Sequence, residues 1–479
     1  MNAERRTSLA PATAPLAACA LGLCMLAACT LEPRRGAPSV PAPAARYQDG
    51  EWRSAAPADA RPRGPWWRTY ADPRLDALED RVTSSNQDLK ASLARLLQAR
   101  AAQRLASSAL YPELTLSAGA SRARSSTNAP HFPPNVQPLA NDLDLQAGAS
   151  YELDVFGRIR SAAHEARANA EASAADAATV ALATHAELAA DYFTLRGLDA
   201  RIALLDRTVA DERKAYALTR NLHRGGAAAA TDVAQARVQL ETARTAAADA
   251  RLARAQTEHA IAVLVGANPT GFRLPPRPLR ADAAPPPIDP GQPSSLLERR
   301  PDVAAAERRV AAANAQIGVA RAAWFPVFDL LATAGYQSTR PATWLLAPSR
   351  LWSLGGSAAL NAFDGGARRA ATRAAHAQYE ERVADYRNTV ISAYQQVEDQ
   401  LAALEMLDQE ALSEHAAADA ADTALKQARY RYAAGASTYL EVFSTENADL
   451  AARSAVIEIA VRRLVSSVRL VEALGGGWR

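Results

Sequence analysis

The amino-acid sequence predicts a mainly α-helical protein with a membrane β-barrel portion, built from a tandem structural repeat. Three observations predict this fold class. Four segments alternate apolar and polar residues with the period of a β-strand. Two long stretches lack proline and carry apolar residues in steps of three and four, which is the spacing of a coiled-coil helix. Several short motifs occur twice at a nearly constant offset, which indicates a duplication.

The first 28 residues have the features of a lipoprotein signal peptide. They contain a charged start, an apolar run too short to span a bilayer, and the sequence Leu-Ala-Ala directly before Cys29. We predict that Cys29 becomes the mature N-terminus and carries an N-palmitoyl and an S-diacylglycerol group, with no other cofactor. Thr30, rather than aspartate, follows it, which for lipoproteins of this kind implies release to the outer membrane. Cleavage before Cys19 and an ordinary signal peptide are the alternatives.

Proline-rich segments divide the rest of the chain. Residues 29–65 are predicted to be a lipidated tether, because their composition forms no core. Residues 66–268 are the predicted first repeat and residues 294–479 the second. Between them, residues 269–293 form a linker that is too rich in proline for a helix or a central strand.

Matching motifs support the duplication. Leu110-Tyr111-Pro112 matches Trp324-Phe325-Pro326 at an offset of 214 residues, and Gly226-Ala227 matches Gly435-Ala436 at an offset of 209. The shrinking offset places a longer loop in the first copy, within residues 121–141.

The alternating segments predict two strands in each copy, at about residues 113–121, 142–156, 327–337 and 351–363. Each has about the length of a membrane-crossing strand, roughly 9–11 residues, with aromatic residues near its ends. Four strands cannot close a barrel, and hydrocarbon does not tolerate open strand edges. The sequence therefore predicts an obligate oligomer.

The second strand has one acidic face. If this face lines a water-filled lumen, its carboxylates favour the entry of cations. The predicted lumen residues are Asp142, Asp144, Glu152 and Asp154.

The spacing of glycine and proline predicts the helices. No glycine or proline lies between Gly366 and Gly435, so one helix of roughly 65 residues is allowed. The matching helix of the first copy is predicted to be interrupted at Gly197. Returning helices are expected from Thr231 to Val265 and from Asp88 to Leu110, and Gly226 and Gly435 allow the tight turns between helices.

The composition argues against several function classes. The seven histidines are scattered and no cysteine remains to pair with them, so we expect no catalytic centre and no metal site. The formal net charge of +3 and the absence of a basic face exclude nucleic acid as a partner. We therefore expect a protein that is not an enzyme.

Five motifs together resemble those of the TolC-like outer-membrane factors, in the lipoprotein branch that serves resistance-nodulation-division efflux pumps. The motifs are Trp66-Trp67 with Asp72-Pro73-Arg74-Leu75, Tyr151 to Arg158, Arg299 to Val303 with Ala306-Glu307, Ile317 to Ala320 with Phe325-Pro326, and Ala473 to Trp478. Asn361 departs from the pattern, because this branch usually has proline before Phe363.

The resemblance implies a homotrimer in the outer membrane of a Gram-negative bacterium. Three chains would form a 12-stranded β-barrel in the outer-membrane lipid, continued by a 12-helix periplasmic α-barrel. A periplasmic membrane-fusion adaptor and an inner-membrane resistance-nodulation-division pump would complete an exporter of small toxic compounds or drugs. A protein-secretion duct of the same fold and a non-channel coiled-coil envelope lipoprotein are the alternatives.

The resemblance also assigns roles to the two turns between helices, which in the family close the periplasmic mouth and meet the adaptor. The predicted docking residues are Gly226, Thr231, Asp232, Gly435 and Thr438, and the predicted gate residues are Asp232, Tyr432 and Glu441.

Helix capping alone is the competing interpretation of these residues. Thr438 and Glu441 have the spacing of a capping box, and Thr231 is a candidate N-cap. Ser437 and Ser444 replace charged residues of TolC, so the resemblance implies a weaker latch.

Overall fold

The computed structural model describes residues 31–33, 64–128, 137–288 and 299–477. The predicted signal peptide, Cys29, most of the tether and Trp478 lie outside the described residues. No helix in the described part of the chain is both long and apolar enough to cross a membrane.

The chain forms seven helices and four strands over the described ranges. In chain order they are α1 (Pro73–Ser85), α2 (Gln87–Ser108), β1 (Glu113–Arg124), β2 (Leu139–Leu153), α3 (Arg158–Arg224), α4 (Ala230–Leu264), α5 (Pro301–Ala322), β3 (Val327–Ser338), β4 (Arg350–Ala359), α6 (Ala367–Ala433) and α7 (Tyr439–Ala473), with short 3₁₀ turns at Trp66–Tyr70, Pro341–Thr343 and Ala347–Ser349.

The helices occur in pairs of equal length, as a duplicated chain would give. α2 and α5 have 22 residues each, α3 and α6 have 67 each, and α4 and α7 have 35 each. The predicted uninterrupted helix after Gly366 is confirmed.

Contacts divide the chain into two compact units. Leu97–Ala172 and Ala306–Tyr386, with described residues 31–33, form the strand unit. Ser173–Ala305 and Arg387–Arg479, with the segment before Leu97, form the helical unit. Helices α3 and α6 contribute residues to both units.

The strand unit contains one antiparallel sheet in the order β1-β2-β3-β4. The register places Leu145 opposite Ala118 on β1 and opposite Tyr336 on β3, so their side chains share one face. This face is apolar and open: Leu114 and Trp352 on its outer strands are each 80% exposed. Large apolar side chains in such positions are typical of a surface that contacts lipid.

Two strands end earlier than the sequence suggested, at Leu153 instead of Phe156 and at Ala359 instead of Phe363. At the first strand–helix junction, where β2 leads into α3, a helix cap ends the strand. Asp154 carboxylate oxygens accept hydrogen bonds from the backbone N–H groups of Ile159 and Arg160 at 3.1 and 2.8 Å. Residues 154–157 therefore form a turn into α3, which Gly157 completes with φ of 76°.

The second junction repeats this arrangement. Asp364 accepts hydrogen bonds from the N–H groups of Gly366 and Arg368 at 2.9 and 3.2 Å at the start of α6. Gly365 and Gly366 both have positive φ. The alternation of apolar and polar residues thus continues in the sequence beyond the point where the backbone leaves the sheet.

The predicted interruption at Gly197 is wrong, because α3 runs through it. A Cβ atom at Gly197 would lie 2.2 Å from Val461 Cγ2 on α7. This glycine therefore permits close packing of two helices, and the hydrogen bonding of α3 continues past it.

The main core of the helical unit surrounds Trp66 and Trp67, which are 6% and 8% exposed. The Trp67 ring stacks on His185 at 4.5 Å, and His185 Nδ1 lies 2.6 Å from Glu79 Oε2. Burial raises the pKa of Glu79 to about 9 and lowers the pKa of His185 to about 4, so both side chains are neutral near pH 7. Glu79 is then the hydrogen-bond donor to His185.

Candidate functional site

The polar face of the sheet carries Asp142 and Asp144, two of the four predicted lumen residues. Asp142 accepts hydrogen bonds from Gln337 Nε2 at 3.0 and 3.2 Å. Asp144 lies opposite Gly119, where a Cβ atom would be 2.3 Å from Asp144 Oδ1, so only glycine leaves room for this carboxylate. Neither acid has a basic partner among the described residues, and both can attract cations.

The other two predicted lumen residues lie at the strand–helix junction, each beside an arginine. Glu152 accepts hydrogen bonds from Arg158 Nε at 2.9 Å and from Nη2 at 2.5 Å. Asp154 caps α3 and forms an ion pair with Arg160 at 3.1 Å. Their charges are compensated locally, which leaves Asp142 and Asp144 as the two predicted lumen residues without a basic partner among the described residues.

The turn between α3 and α4 is built by glycine geometry and a helix cap. Gly226 has φ of 78°, and the N–H of Ala227 donates to Leu222 O at 2.8 Å, which closes the C-terminus of α3. Asp232 Oδ2 accepts a hydrogen bond from the N–H of Ala229 at 3.3 Å. The N-cap is Ala229, so the expectation that Thr231 is the N-cap is wrong: Thr231 is the second residue of α4.

The turn between α6 and α7 has the same backbone geometry but a different side-chain arrangement. Gly435 has φ of 72°. Thr438 is the N-cap of α7, but its side chain makes no capping hydrogen bond. Glu441 Oε1 instead accepts a hydrogen bond from Arg431 Nη1 at 2.8 Å. The predicted capping box is therefore absent, because Arg431 competes successfully for the carboxylate.

Aromatic side chains support this second turn. Tyr432 meets Tyr439 edge to face, with ring centroids 5.6 Å apart. Tyr439 is 3% exposed and packs with Ala236, Ala428 and Val442. Tyr432, one of the predicted gate residues, thus joins the turn to a small core that includes α4, α6 and α7.

A buried acid pair, which was not predicted from the sequence, lies beside this core. Glu212 on α3 and Glu446 on α7 are 5% and 8% exposed. Glu446 accepts hydrogen bonds from Arg429 at 3.1 and 2.8 Å. Burial, followed by the charge of Glu446, raises the pKa of Glu212 to about 7. The proton therefore resides on Glu212, which can donate it to Glu446.

The described residues offer little else to a cofactor. No cluster of three or more His, Cys, Asp or Glu side chains in the described ranges could hold a metal ion.

Known proteins share this architecture over almost the whole chain. The model of the outer membrane efflux protein family matches residues 78–267 and 292–476. The chain is 31% identical to the outer membrane protein OprJ of Pseudomonas aeruginosa, over 95% of this chain and 94% of OprJ. It is 30% identical to the toluene efflux pump outer membrane protein TtgC of Pseudomonas putida, over 95% of this chain and 94% of TtgC.

Solved structures agree with this likeness. The outer-membrane channel OprN superposes with a TM-score of 0.83 at 30% identity, covering 94% of this chain and 100% of OprN. The open state of the Neisseria gonorrhoeae MtrE outer membrane channel superposes with a TM-score of 0.80 at 28% identity, covering 94% and 98%.

Proposed function

The chain belongs to the outer membrane efflux protein family, and we propose that three copies form the exit duct of a tripartite pump. Like its relatives, it is an outer-membrane efflux channel. We further propose that the channel is a trimer and that it works with a periplasmic adaptor and an inner-membrane resistance-nodulation-division pump. We also propose that residues 66–268 and residues 294–479 are the two structural repeats predicted from the sequence. Small toxic compounds are the proposed cargo, since relatives include an antibiotic efflux protein and a toluene efflux protein, both from Pseudomonas putida.

The open edges of the sheet carry the proposal of an oligomer. Within the described residues, β1 pairs only with β2 and β4 pairs only with β3. Each outer strand therefore presents unpaired backbone N–H and C=O groups beside an exposed apolar face. In hydrocarbon such groups cost several kcal/mol each. Pairing of β4 with β1 of another copy satisfies them, and three copies would give 12 strands.

The two turns are the proposed adaptor-docking surface, formed by Gly226, Thr231, Asp232, Gly435 and Thr438. They follow the C-terminal ends of α3 and α6. The gate is proposed at Asp232, Tyr432 and Glu441 in the same turns. The Arg431–Glu441 ion pair partly neutralises Glu441, which supports the weaker latch that the sequence predicts.

The lipid anchor is proposed at Cys29, and the residues that follow it support this position. His164 Nδ1 lies 3.1 Å from Glu32 Oε2, and Asn314 Nδ2 donates to Pro33 O at 2.9 Å. The segment just after Cys29 is thus fixed on α3 and α5 of the strand unit. Mass spectrometry of the mature N-terminal peptide should give Cys29 with an N-palmitoyl and an S-diacylglycerol group, and a free amine at another residue would exclude it.

A planar lipid bilayer tests the function. The purified full-length protein should produce discrete conductance steps, and cells that lack it should become sensitive to several unrelated toxic compounds. A protein that reaches the outer membrane but conducts no ions would contradict the duct and favour the coiled-coil lipoprotein. Loss of a secreted protein, with unchanged sensitivity to toxic compounds, would favour the secretion duct.

A further inference from the structure

An open groove of about 350 Å³ lies beside the second strand–helix junction, between the end of α5 and the start of α6. We call it the junction groove. It is lined by Trp324, Arg369, Thr372, Arg373, His376, Ala377 and Glu380. Its volume lies within the range of small-ligand sites, roughly 300–1,000 Å³.

The groove contains two arginines without partners. Neither Arg369 nor Arg373 forms a hydrogen bond or an ion pair with any described residue, and both are exposed. One turn apart on α6, they present two guanidinium groups on the same helix face. The acid in the groove, Glu380, lies about three turns beyond Arg369, at the end away from the strands.

Thr372 of the groove and the neighbouring Arg368 hold the Trp324 ring in place. Trp324 Nε1 donates to Thr372 Oγ1 at 3.2 Å, and the Arg368 guanidinium covers the Trp324 ring at 5.1 Å. Arg321 at the end of α5 donates a hydrogen bond to His376 Nε2 at 3.5 Å. Trp324 is nevertheless 47% exposed. An exposed but oriented indole is typical of the membrane–water interface.

The first junction provides an internal comparison. The arginines at the start of α3 all have acidic partners: Arg158 pairs with Glu152, Arg160 with Asp154, and Arg167 with Glu171. The same local fold can therefore neutralise its cations, and the second junction leaves two of them unneutralised. No described residue supplies the counter-charge of these two arginines.

The position of the groove along the chain indicates which anion supplies the counter-charge of Arg369 and Arg373. Trp324 lies three residues before β3, and Arg369 and Arg373 lie in the first two turns of α6, which follows β4. The head-group layer extends about 5–8 Å beyond the hydrocarbon on each side, and α6 rises 1.5 Å per residue. Arg369 lies about 3 Å and Arg373 about 9 Å along α6, and side chains on a helix lean toward its N-terminus, so both guanidinium groups can reach head-group depth when the sheet crosses the membrane.

We propose that the junction groove binds the phosphodiester head group of an anionic phospholipid, with Arg369 and Arg373 holding the phosphate and Trp324 lying at the acyl boundary. Planar guanidinium groups match phosphate geometry and bind it by paired hydrogen bonds. The lipid would fix the depth and rotation of each chain in the membrane. This inference depends on the membrane-crossing sheet of the proposed function.

Lipid retention by the purified full-length protein tests the proposal. The protein is delipidated in neutral detergent and titrated with phosphatidylglycerol or phosphatidylcholine, and bound lipid is counted by native mass spectrometry. We expect preferential binding of phosphatidylglycerol that weakens about five-fold for each arginine removed in R369Q/R373Q. The charge-matched control R213Q/R237Q changes two exposed, unpaired arginines of the helical unit and should bind as the parent does.

Two results would overturn the proposal. One is equal binding of both lipids by the parent protein, and the other is undiminished phosphatidylglycerol binding by R369Q/R373Q. Inorganic phosphate serves as the soluble probe: if it displaces phosphatidylglycerol completely at equal concentration, the groove is a simple anion site and the lipid assignment is wrong. Conductance of the same variants separates this inference from the function, because R369Q/R373Q should still form channels.

Discussion

Glu441 on α7 accepts a hydrogen bond from Arg431 at the end of α6, at 2.8 Å, and therefore does not cap its own helix. Its repeat equivalent, Asp232, does act as a cap, through the N–H of Ala229. Two acids at matching positions thus have different local roles, and substitutions can separate capping from gating.

Substitution of these acids should open the channel. Glu441→Ala breaks an exposed ion pair, which contributes about 0–1 kcal/mol, and Asp232→Ala removes a cap worth about 1 kcal/mol. We expect both variants to raise single-channel conductance and to make cells permeable to large antibiotics. Asp249→Ala is the matched control, because it removes an exposed acid of α4 that lies outside both turns. Variants that melt earlier but conduct as the parent does would place the gate elsewhere.

The cation preference of the channel should depend on Asp142 and Asp144 but not on Glu152. Asp142→Asn and Asp144→Asn remove charges that have no basic partner among the described residues, so each should shift the reversal potential under a salt gradient toward zero. Glu152→Gln is the control, since Arg158 already compensates Glu152. Anion preference in the parent protein would show that Asp142 and Asp144 do not face the conducting path.

The buried acid pair predicts a dependence of stability on pH. The folded state raises the pKa of Glu212 from 4.5 to about 7, so it retains a proton that the unfolded state releases. The stability from this proton is complete below about pH 4.5 and is lost as the pH rises through 7. Arg429, Asp211, Tyr439 and Glu446 are the charged or titratable groups around it.

Melting temperatures of matched variants measure this effect. Glu212→Gln keeps a hydrogen-bond donor without a titrating group, so its melting temperature should rise relative to the parent between pH 5 and 8. Asp249→Asn changes an exposed acid of α4 that is not among the groups around Glu212, and it should follow the parent. A constant difference between parent and Glu212→Gln across this range would show that the Glu212 carboxyl does not titrate there.

The close packing at Gly197 predicts a specific rescue. Gly197→Ala places a methyl group against Val461 and should destabilise the protein by about 1–3 kcal/mol, the usual cost of overpacking. Val461→Ala in the same chain should recover most of that loss. Gly271→Ala is the control, because no atom lies within 4 Å of its added Cβ. Wild-type stability of the Gly197→Ala single variant would contradict the packing.

The sequence predicted the elements best where one physical constraint dominates. Alternation located all four strands, because their two faces contact different solvents, and the lack of glycine and proline revealed the long helix α6. The errors have local causes. The strand pattern continued through Asp154, whose capping of α3 depends on a turn, and Gly197 was interpreted as a break because its neighbour Val461 is distant in the sequence.

The site was less predictable, because its partners are set by tertiary contacts. Arg431 meets Glu441 across a turn, outside any capping spacing. Glu212 and Glu446 come from different repeats, so the sequence does not show that they are neighbours. A charged residue at a helix position expected to be apolar was the signal that could have identified them.

The mass of the detergent-solubilised particle tests the proposed duct most directly, because the sheet of one chain leaves both outer edges unpaired. Multi-angle light scattering, corrected for bound detergent, should give three chains per particle over a wide range of protein concentration. A stable monomer with an intact sheet would contradict the shared barrel.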